Sequence, residues 1–343
     1  MKMTIEIPGV LTTVQDEGRY GYMEYGVRTG GAMDQDSFHA ANRIVGNEEN
    51  AAELEMTLMG ITAVFDGDGV IALTGADMKA QLDGVPVERY AAVRVRSGQR
   101  LSMRMAGSGC RAYLAVSGGI AVPKVMGSSS TDVKCRLGGL EGRALQAGDV
   151  LETGSTGGST EEKTGKALSV RPEKYGHSAH VRVVEGPQAD WFSEEAREKF
   201  FHEIYHVSAE SDRMGMRLDG APVESLHGMD IVSDGIAFGS IQITKSGMPI
   251  VMMADHQTTG GYAKIGTVCS FDLPKLAQLR PGDTVQFERV SVEEAQALYL
   301  HPQERKRTKP LALAIGNGGG EETTSRRHRF QKYNYYYRHG DLR

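Results

Sequence analysis

The sequence predicts a mainly β protein of two β-barrel-like domains with few short helices. Three observations carry this reading. Glycine supplies 43 of 343 residues, which suits many tight turns between short strands. Apolar and polar residues alternate around two-residue turn signals. Helical periodicity is confined to three short stretches.

The elements follow in chain order. A helix is expected from about Asp36 to Val45, with Asp34 as N-cap and Gly46 closing it. Asp83-Gly84 inside KAQLDGVPVERY signals a hairpin. Ser97-Gly98 inside AVRVRSGQRLSMRM signals another, and Ser246-Gly247 inside IQITKSGMPIVMMAD a third. A second helix is expected from Ser193 to Tyr205, capped by Ser193, with Glu194 and Glu195 at its positive end. A third starts at Ser291, where Ser291 and Glu294 make a capping box.

Residues 152–180 are rich in Gly, Ser, Thr and charge and read as a linker. They divide the chain into residues 1–165 and 166–300. Residues 301–343 form a basic tail of ten Lys/Arg against four Asp/Glu, without periodicity, expected to be disordered or partner-bound. A Gly-Asp turn into a strand occurs twice, at Leu145-Gly148-Asp149-Val150 and at Leu279-Gly282-Asp283-Val285. This weak echo points to two related halves or to a turn common in β-barrels.

Composition excludes several classes. Forty per cent hydrophobic and 24% charged residues suit a soluble globular protein. A net charge of -5 argues against an electrostatic nucleic-acid binder. Cys110, Cys135 and Cys269 fit no zinc spacing and read as buried thiols in a reducing compartment. No signal peptide or membrane-length apolar run is visible, so the cytoplasm is expected.

His202-Glu203-Ile204-Tyr205-His206 matches the H-E-x-x-H metal motif, but a third ligand is missing and the flanking residues are apolar. No metal is expected there. No P-loop or G-x-G-x-x-G motif occurs. Met1-Lys2-Met3 has the letters of a biotin attachment site at the chain start, not at a hairpin tip, so no covalent biotin is expected on this chain.

Three segments are dense in polar residues that a β core does not need. The first, residues 12–34, carries Gln15, Asp16, Arg19 and Asp34. The second, residues 210–220, carries Asp212 and Arg213. The third, residues 253–268, carries Gln257, Thr258, Thr259, Gly260, Gly261 and Tyr262. Arg213 is expected to bind an anion, with Asp212 orienting it or acting as a base. The Gly260-Gly261 amides are expected to stabilise an oxyanion or carboxylate. Gln15, Asp16, Arg19, Asp34, Gln257, Thr258, Thr259 and Tyr262 are expected to line the substrate. Tight-turn structure is the competing explanation for each segment.

The same segments carry a resemblance. TTVQDEGRYGY, GAMD, AAELEMT, RAYLAVSGGI, GSSSTD, SDRMGMRL and DHQTTGGYAKIGTV occur in the order found in the biotin-dependent carboxyltransferase A/B-type domain family, over Pro8 to Phe287. The sequence departs from the family pattern at Ser129 and His256, where arginine is usual, near Thr244, where a proline is usual, and at Ala263, where proline is. The resemblance implies a β-rich fold with cyclophilin-like barrel character. It also implies one component of an ATP-dependent 5-oxoprolinase that converts 5-oxo-L-proline to L-glutamate. The implied partners are a KipI-like B subunit and a third, A subunit, with ATP used by the complex and this chain inactive alone. Two other functions fit the resemblance. One is a component of a biotin-dependent carboxyltransferase of the urea carboxylase and allophanate hydrolase type. The other is a non-enzymatic antagonist of a KipI-like kinase inhibitor.

Overall fold

The computed structural model describes residues 1–154 and 175–301. The basic tail beyond His301 and most of the expected linker lie outside the described residues.

The first half holds β1 (Lys2–Ile7), β2 (Leu11–Gln15), helix α1 (Gln35–Val45), β3 (Glu53–Thr57), β4 (Thr62–Asp66), β5 (Gly69–Asp77), β6 (Gln81–Leu82), β7 (Val85–Pro86), β8 (Ala92–Val95), β9 (Arg100–Ser102), β10 (Ser108–Val116), β11 (Ile120–Ala121) and β12 (Val150–Thr153). These strands form two sheets, ordered β11-β12-β1-β4-β9-β6-β7 and β2-β3-β10-β5-β8. The sheets wrap one core in a barrel-like section: Met3, Ile5 and Phe65 from one meet Leu54, Leu73 and Leu114 from the other. Strand β10 is buried on both faces. Ala112, Leu114 and Val116 enter that core, while Tyr113 and Ala115 pack with Phe38 and Ala41 of α1.

The second half holds β13 (Ser178–Glu185), α2 (Glu194–His202), β14 (Ile204–Val207), β15 (Gly215–Asp219), β16 (Asp230–Gly235), β17 (Ser240–Ile243), β18 (Pro249–Met252), β19 (Thr259–Tyr262), β20 (Lys264–Val268), α3 (Leu273–Ala277), β21 (Thr284–Arg289) and α4 (Val292–Leu300). Seven strands close into a barrel, β13-β20-β17-β18-β15-β14-β21, and β16 pairs with β19 as a separate ribbon. Closure removes the exposed sheet edges. Phe200 stacks on Phe287 with ring centroids 4.7 Å apart, seating α2 on the barrel.

Local chemistry explains the elements. Asp34 accepts from Ser37 N at 3.0 Å, and Gly46 ends α1 with φ of 71°. Ser291 and Glu294 form the capping box of α4. Asp83 and Gly84 take φ of 49° and 82°, the left-handed pair that a two-residue hairpin needs. Ser246-Gly247 joins the paired strands β17 and β18.

Three expectations are corrected. Ser97-Gly98 does not make a hairpin, because β8 pairs with β5 while β9 pairs with β4, so the turn crosses between the sheets. The second helix stops at His202, because Ile204 to His206 pair with β21. His202 and His206 therefore share no helix face, and the basis of the metal motif is absent. Cys135 is exposed, unlike Cys110 and Cys269.

The Gly-Asp echo is a real local repeat. Gly148 and Gly282 have φ of 92° and 87°. Asp149 accepts from Gln146 N at 2.7 Å, and Asp283 accepts from Arg280 N at 2.8 Å. The same turn opens β12 in an open sheet and β21 in a closed barrel.

Candidate functional site

Side chains from both halves meet in a buried polar junction. Arg213, on the turn before β15, reaches into the first half. Its Nε and Nη2 donate to Asp255 at 2.8 and 2.9 Å, Nη2 donates to the Gly31 carbonyl at 2.7 Å, and Nη1 pairs with Glu55. Burial alone would pull its pKa down, but the Asp255 and Glu55 carboxylates outweigh this and raise it. Glu55 also accepts from Met33 N at 2.8 Å and from Tyr113 OH at 2.7 Å. The arginine fork is thus filled from within, and its expected role as an anion site is corrected to that of a pin between the two halves of the chain.

Gln278, just past α3, is the second pin. Its Oε1 accepts from Cys110 N at 3.0 Å and Arg111 N at 3.1 Å, while Nε2 donates to Asp34 Oδ2 at 2.6 Å and to the Arg111 carbonyl at 2.9 Å. Burial pushes the Asp34 carboxyl up to about 6, against the hydrogen bonds from Gln278 and Ser37. Asp34 is therefore a helix cap and junction residue.

Beside Arg213 the chain makes a second polar cluster. Asp16 accepts from Ser128 Oγ at 2.7 Å, Ser129 N at 2.6 Å and Gly18 N at 2.9 Å. It organises the GSSSTD turn, where Ser129 contributes its backbone amide. Gln15 donates to Thr13 Oγ1 at 2.9 Å and to the Thr131 carbonyl at 3.2 Å. Arg19 differs from every other residue here. It is 1% exposed, and its guanidinium donates only to the carbonyls of Val125 and Ser130, each at 3.0 Å. Among the described residues no carboxylate lies at ion-pair distance from it. A buried cation held by neutral oxygens is a fixed point charge with no countercharge of its own.

The remaining expected residues divide. Asp212 is exposed, and its Oδ1 caps Met214 N at 2.7 Å and Gly215 N at 3.1 Å, so it shapes the turn and does not orient Arg213. Gly260 and Gly261 lie in the β16–β19 ribbon, and neither has positive φ. A Cβ on Gly260 would come 2.4 Å from Ile236 Cδ1 and 2.7 Å from Gln242 Nε2, so close packing explains that glycine. Thr259 and Tyr262 belong to the same ribbon, preceded by Gln257 and Thr258. Tyr262 lines a groove of about 540 Å³ on the barrel with Arg217 and Lys245, and no residue of the Arg19 cluster lines it.

Sequence reasoning missed Glu55, Asp255 and Gln278, and marked His256 only as a departure from the family pattern. Only Glu53-Leu54-Glu55-Met56 carried a signal, two carboxylates on one face of an otherwise apolar strand. His256 is 2% exposed, and its Nδ1 lies 2.8 Å from the Gln257 carbonyl. A carbonyl only accepts, so Nδ1 carries hydrogen and the neutral ring keeps Nε2 as an acceptor. Burial lowers its pKa. Among the described residues no cluster of three or more His, Cys, Asp or Glu is placed to hold a metal.

With this geometry in view, comparison with known proteins decides the family. The model of the carboxyltransferase domain, subdomain A and B, matches residues 25–289. The chain belongs to this family. Within it, the chain is 40% identical over 287 residues to the C subunit of Escherichia coli 5-oxoprolinase, covering 84% of this chain and 91% of that one. It is 35% identical over 316 residues to urea amidolyase of Saccharomyces cerevisiae, covering 86% of this chain but 17% of that one. Among solved structures, K. lactis urea amidolyase superposes with a TM-score of 0.82 at 32% identity, over 90% of this chain and 20% of the other. TTHA0988 gives 0.76 at 33% identity, over 84% and 55%. This family domain therefore also occurs inside longer chains. No helix among the described residues is long and apolar enough to cross a membrane.

Proposed function

We propose that this chain is the C subunit of an ATP-dependent 5-oxoprolinase that hydrolyses 5-oxo-L-proline to L-glutamate. The observation that carries the reading is the 40% identity to the E. coli C subunit across 91% of its length. The urea amidolyase match spans only 17% of its relative and supports a carboxyltransferase role as the second reading. A KipI-like B subunit and an A subunit complete the enzyme, and the complex uses ATP.

The substrate carries a carboxylate and a ring amide. Arg19, charged and without a carboxylate partner, is the group suited to the carboxylate. Asp16 and Ser128 to Ser130 hold the walls around it. The ring amide is a poor electrophile, and its reaction places negative charge on the carbonyl oxygen. A donor placed for that oxygen and a base for water are then needed. His256 Nε2 is an acceptor of suitable kind, on a ring close enough to feel the charge of Arg28 in the loop that follows Arg19. Arg213 holds the start of the His256 loop through Asp255 and the end of the Arg19 segment through the Gly31 carbonyl.

The test is reconstitution. Mixing the chain with its B and A partners should switch on ATP hydrolysis that depends on 5-oxoproline, and none of the three alone should show it. Carboxyl transfer to urea from a carboxybiotin carrier, without response to 5-oxoproline, would select the second reading.

A further inference from the structure

Two loops lie side by side over the Arg19 site. The first, residues 20–28, closes on itself, since Arg19 N donates to the Thr29 carbonyl at 2.6 Å at its base. The second runs from Val125 to Leu137 and is pinned by Val125–Ser128 and Asp132–Leu137 backbone pairs. The loops touch twice. Arg19 Nε meets the Val125 carbonyl at 3.0 Å, and Arg28 Nη1 lies 3.5 Å from Asp132 Oδ1. Asp16 holds the second loop through Ser128 and Ser129. Both loops are thus anchored from below.

Their exposed side chains include four large apolar ones. Tyr20 is 67% exposed, Tyr25 73%, Met126 42% and Val133 42%. A free loop gains nothing in water from two tyrosines, a methionine and a valine held outward, whereas an interface core is enriched in tyrosine and methionine. The rim is basic. Lys124 and Arg136 are exposed and, among the described residues, have no ion pair. Glu24 is the only exposed acid on residues 20–28. Lys134 of the second loop is paired with the exposed Asp212 at 3.6 Å, and the unpaired Lys124 and Arg136 run against the chain's net charge of -5.

We propose that this face docks the KipI-like partner, which contributes an apolar centre and an acidic rim and covers the Arg19 site. The inference rests on the 5-oxoprolinase reading for the partner's existence, and goes beyond it in assigning the surface. The comparison with TTHA0988 supports a protein occupant, because that chain carries the same domain with nearly half of its length outside the match. A partner seated here would also exclude water from the site below it.

The experiment uses the full chain and the purified KipI-like B subunit, with association measured by biolayer interferometry at several salt concentrations. Tyr25→Ala should weaken binding by about tenfold or more, as for a central aromatic anchor. Lys124→Glu with Arg136→Glu should slow association by about tenfold and flatten its salt dependence, since rim charges act mainly on encounter. Val232→Ser on the β16–β19 ribbon, where Val232 is 93% exposed, should bind as wild type. Each variant is checked for an unchanged unfolding midpoint. Wild-type affinity in both face variants overturns the assignment, as does loss of binding in Val232→Ser alone. A dimer of this chain that dissolves in Tyr25→Ala would make a second copy the occupant and overturn it too. Failure of wild type to bind the KipI-like chain under any condition overturns both this assignment and the 5-oxoprolinase reading.

Discussion

Replacing Arg213 with alanine should destabilise the protein before it affects any chemistry. The side chain is 7% exposed and neutralises two carboxylates, Asp255 and Glu55, that lie on opposite sides of the domain junction. Removal leaves buried Asp255 without its cation, Glu55 with only Arg111 at 4.0 Å, and the Gly31 carbonyl without its donor. Breaking a buried pair by deleting one partner costs about 3–5 kcal/mol. With a urea slope of about 3 kcal/mol/M, the midpoint should fall by about 1–2 M. Asp255→Asn in the same background removes one of the stranded charges, so the double variant should recover part of the loss, with a coupling of about 1–3 kcal/mol. The assay is urea unfolding followed by fluorescence of Trp191. An Arg213→Ala midpoint within about 0.5 kcal/mol of wild type would refute the pin and restore Arg213 as a candidate free anion site.

Three further outcomes follow from the same contacts. Asp34→Asn should flatten the pH dependence of stability. The wild-type carboxyl is neutral in both states below about pH 4, and its burial penalty grows as pH rises to about 6, amounting to about 3 kcal/mol. The asparagine also sets an NH₂ group against Gln278 Nε2, which costs about 1–3 kcal/mol. Urea unfolding should therefore show the variant weaker than wild type at pH 4 and near equal to it at pH 7. Glu53→Gln should raise stability at neutral pH. Glu53 is fully buried, and burial drives its pKa well up against the opposing backbone amide of Asn42, so its ionisation penalises the native state as pH rises. Arg19→Lys should cost about 1–3 kcal/mol of stability and, at protein concentrations where the complex stays folded, lower turnover of the reconstituted complex by about 10²–10³, since one ammonium cannot replace the fork. Full turnover would exclude Arg19 from the site.

Much of the fold was legible because its signals are local. The caps at Asp34, Ser193 and Ser291, and the turns at Asp83-Gly84 and Ser246-Gly247, are each set by residues a few positions apart. Ser97-Gly98 failed because alternation marks a strand without naming its partner, and β8 and β9 join different sheets. The end of the second helix, expected at Tyr205, failed because strand pairing with β21 stops it at His202. The polar segments were recognisable, but their contents were not. Arg213 finds Asp255 and Glu55 at separations of 42 and 158 residues, which no local pattern encodes. Nor does a glycine pair reveal whether it frees an amide for a ligand or clears space for Ile236 and Gln242.

The separation between support and site rests on charge. Arg213 is neutralised from two sides, and Arg111 lies 4.0 Å from Glu55 while donating to the Ala277 carbonyl at 2.6 Å. A ligand carboxylate arriving at either would compete with acids already in place and would strand them in a low-dielectric interior. At Arg19 no such exchange is required, because carbonyl oxygens carry no net charge to displace. An anion there adds Coulomb energy to a cation whose desolvation cost was met on folding. The same reasoning orders the roles at the junction: Arg213 and Gln278 hold the halves together, so that the Asp16 and Ser128–Ser130 walls keep Arg19 in one geometry. Under the function proposed above, preorganisation of that charge is what lets it hold the substrate carboxylate in place while the ring amide reacts.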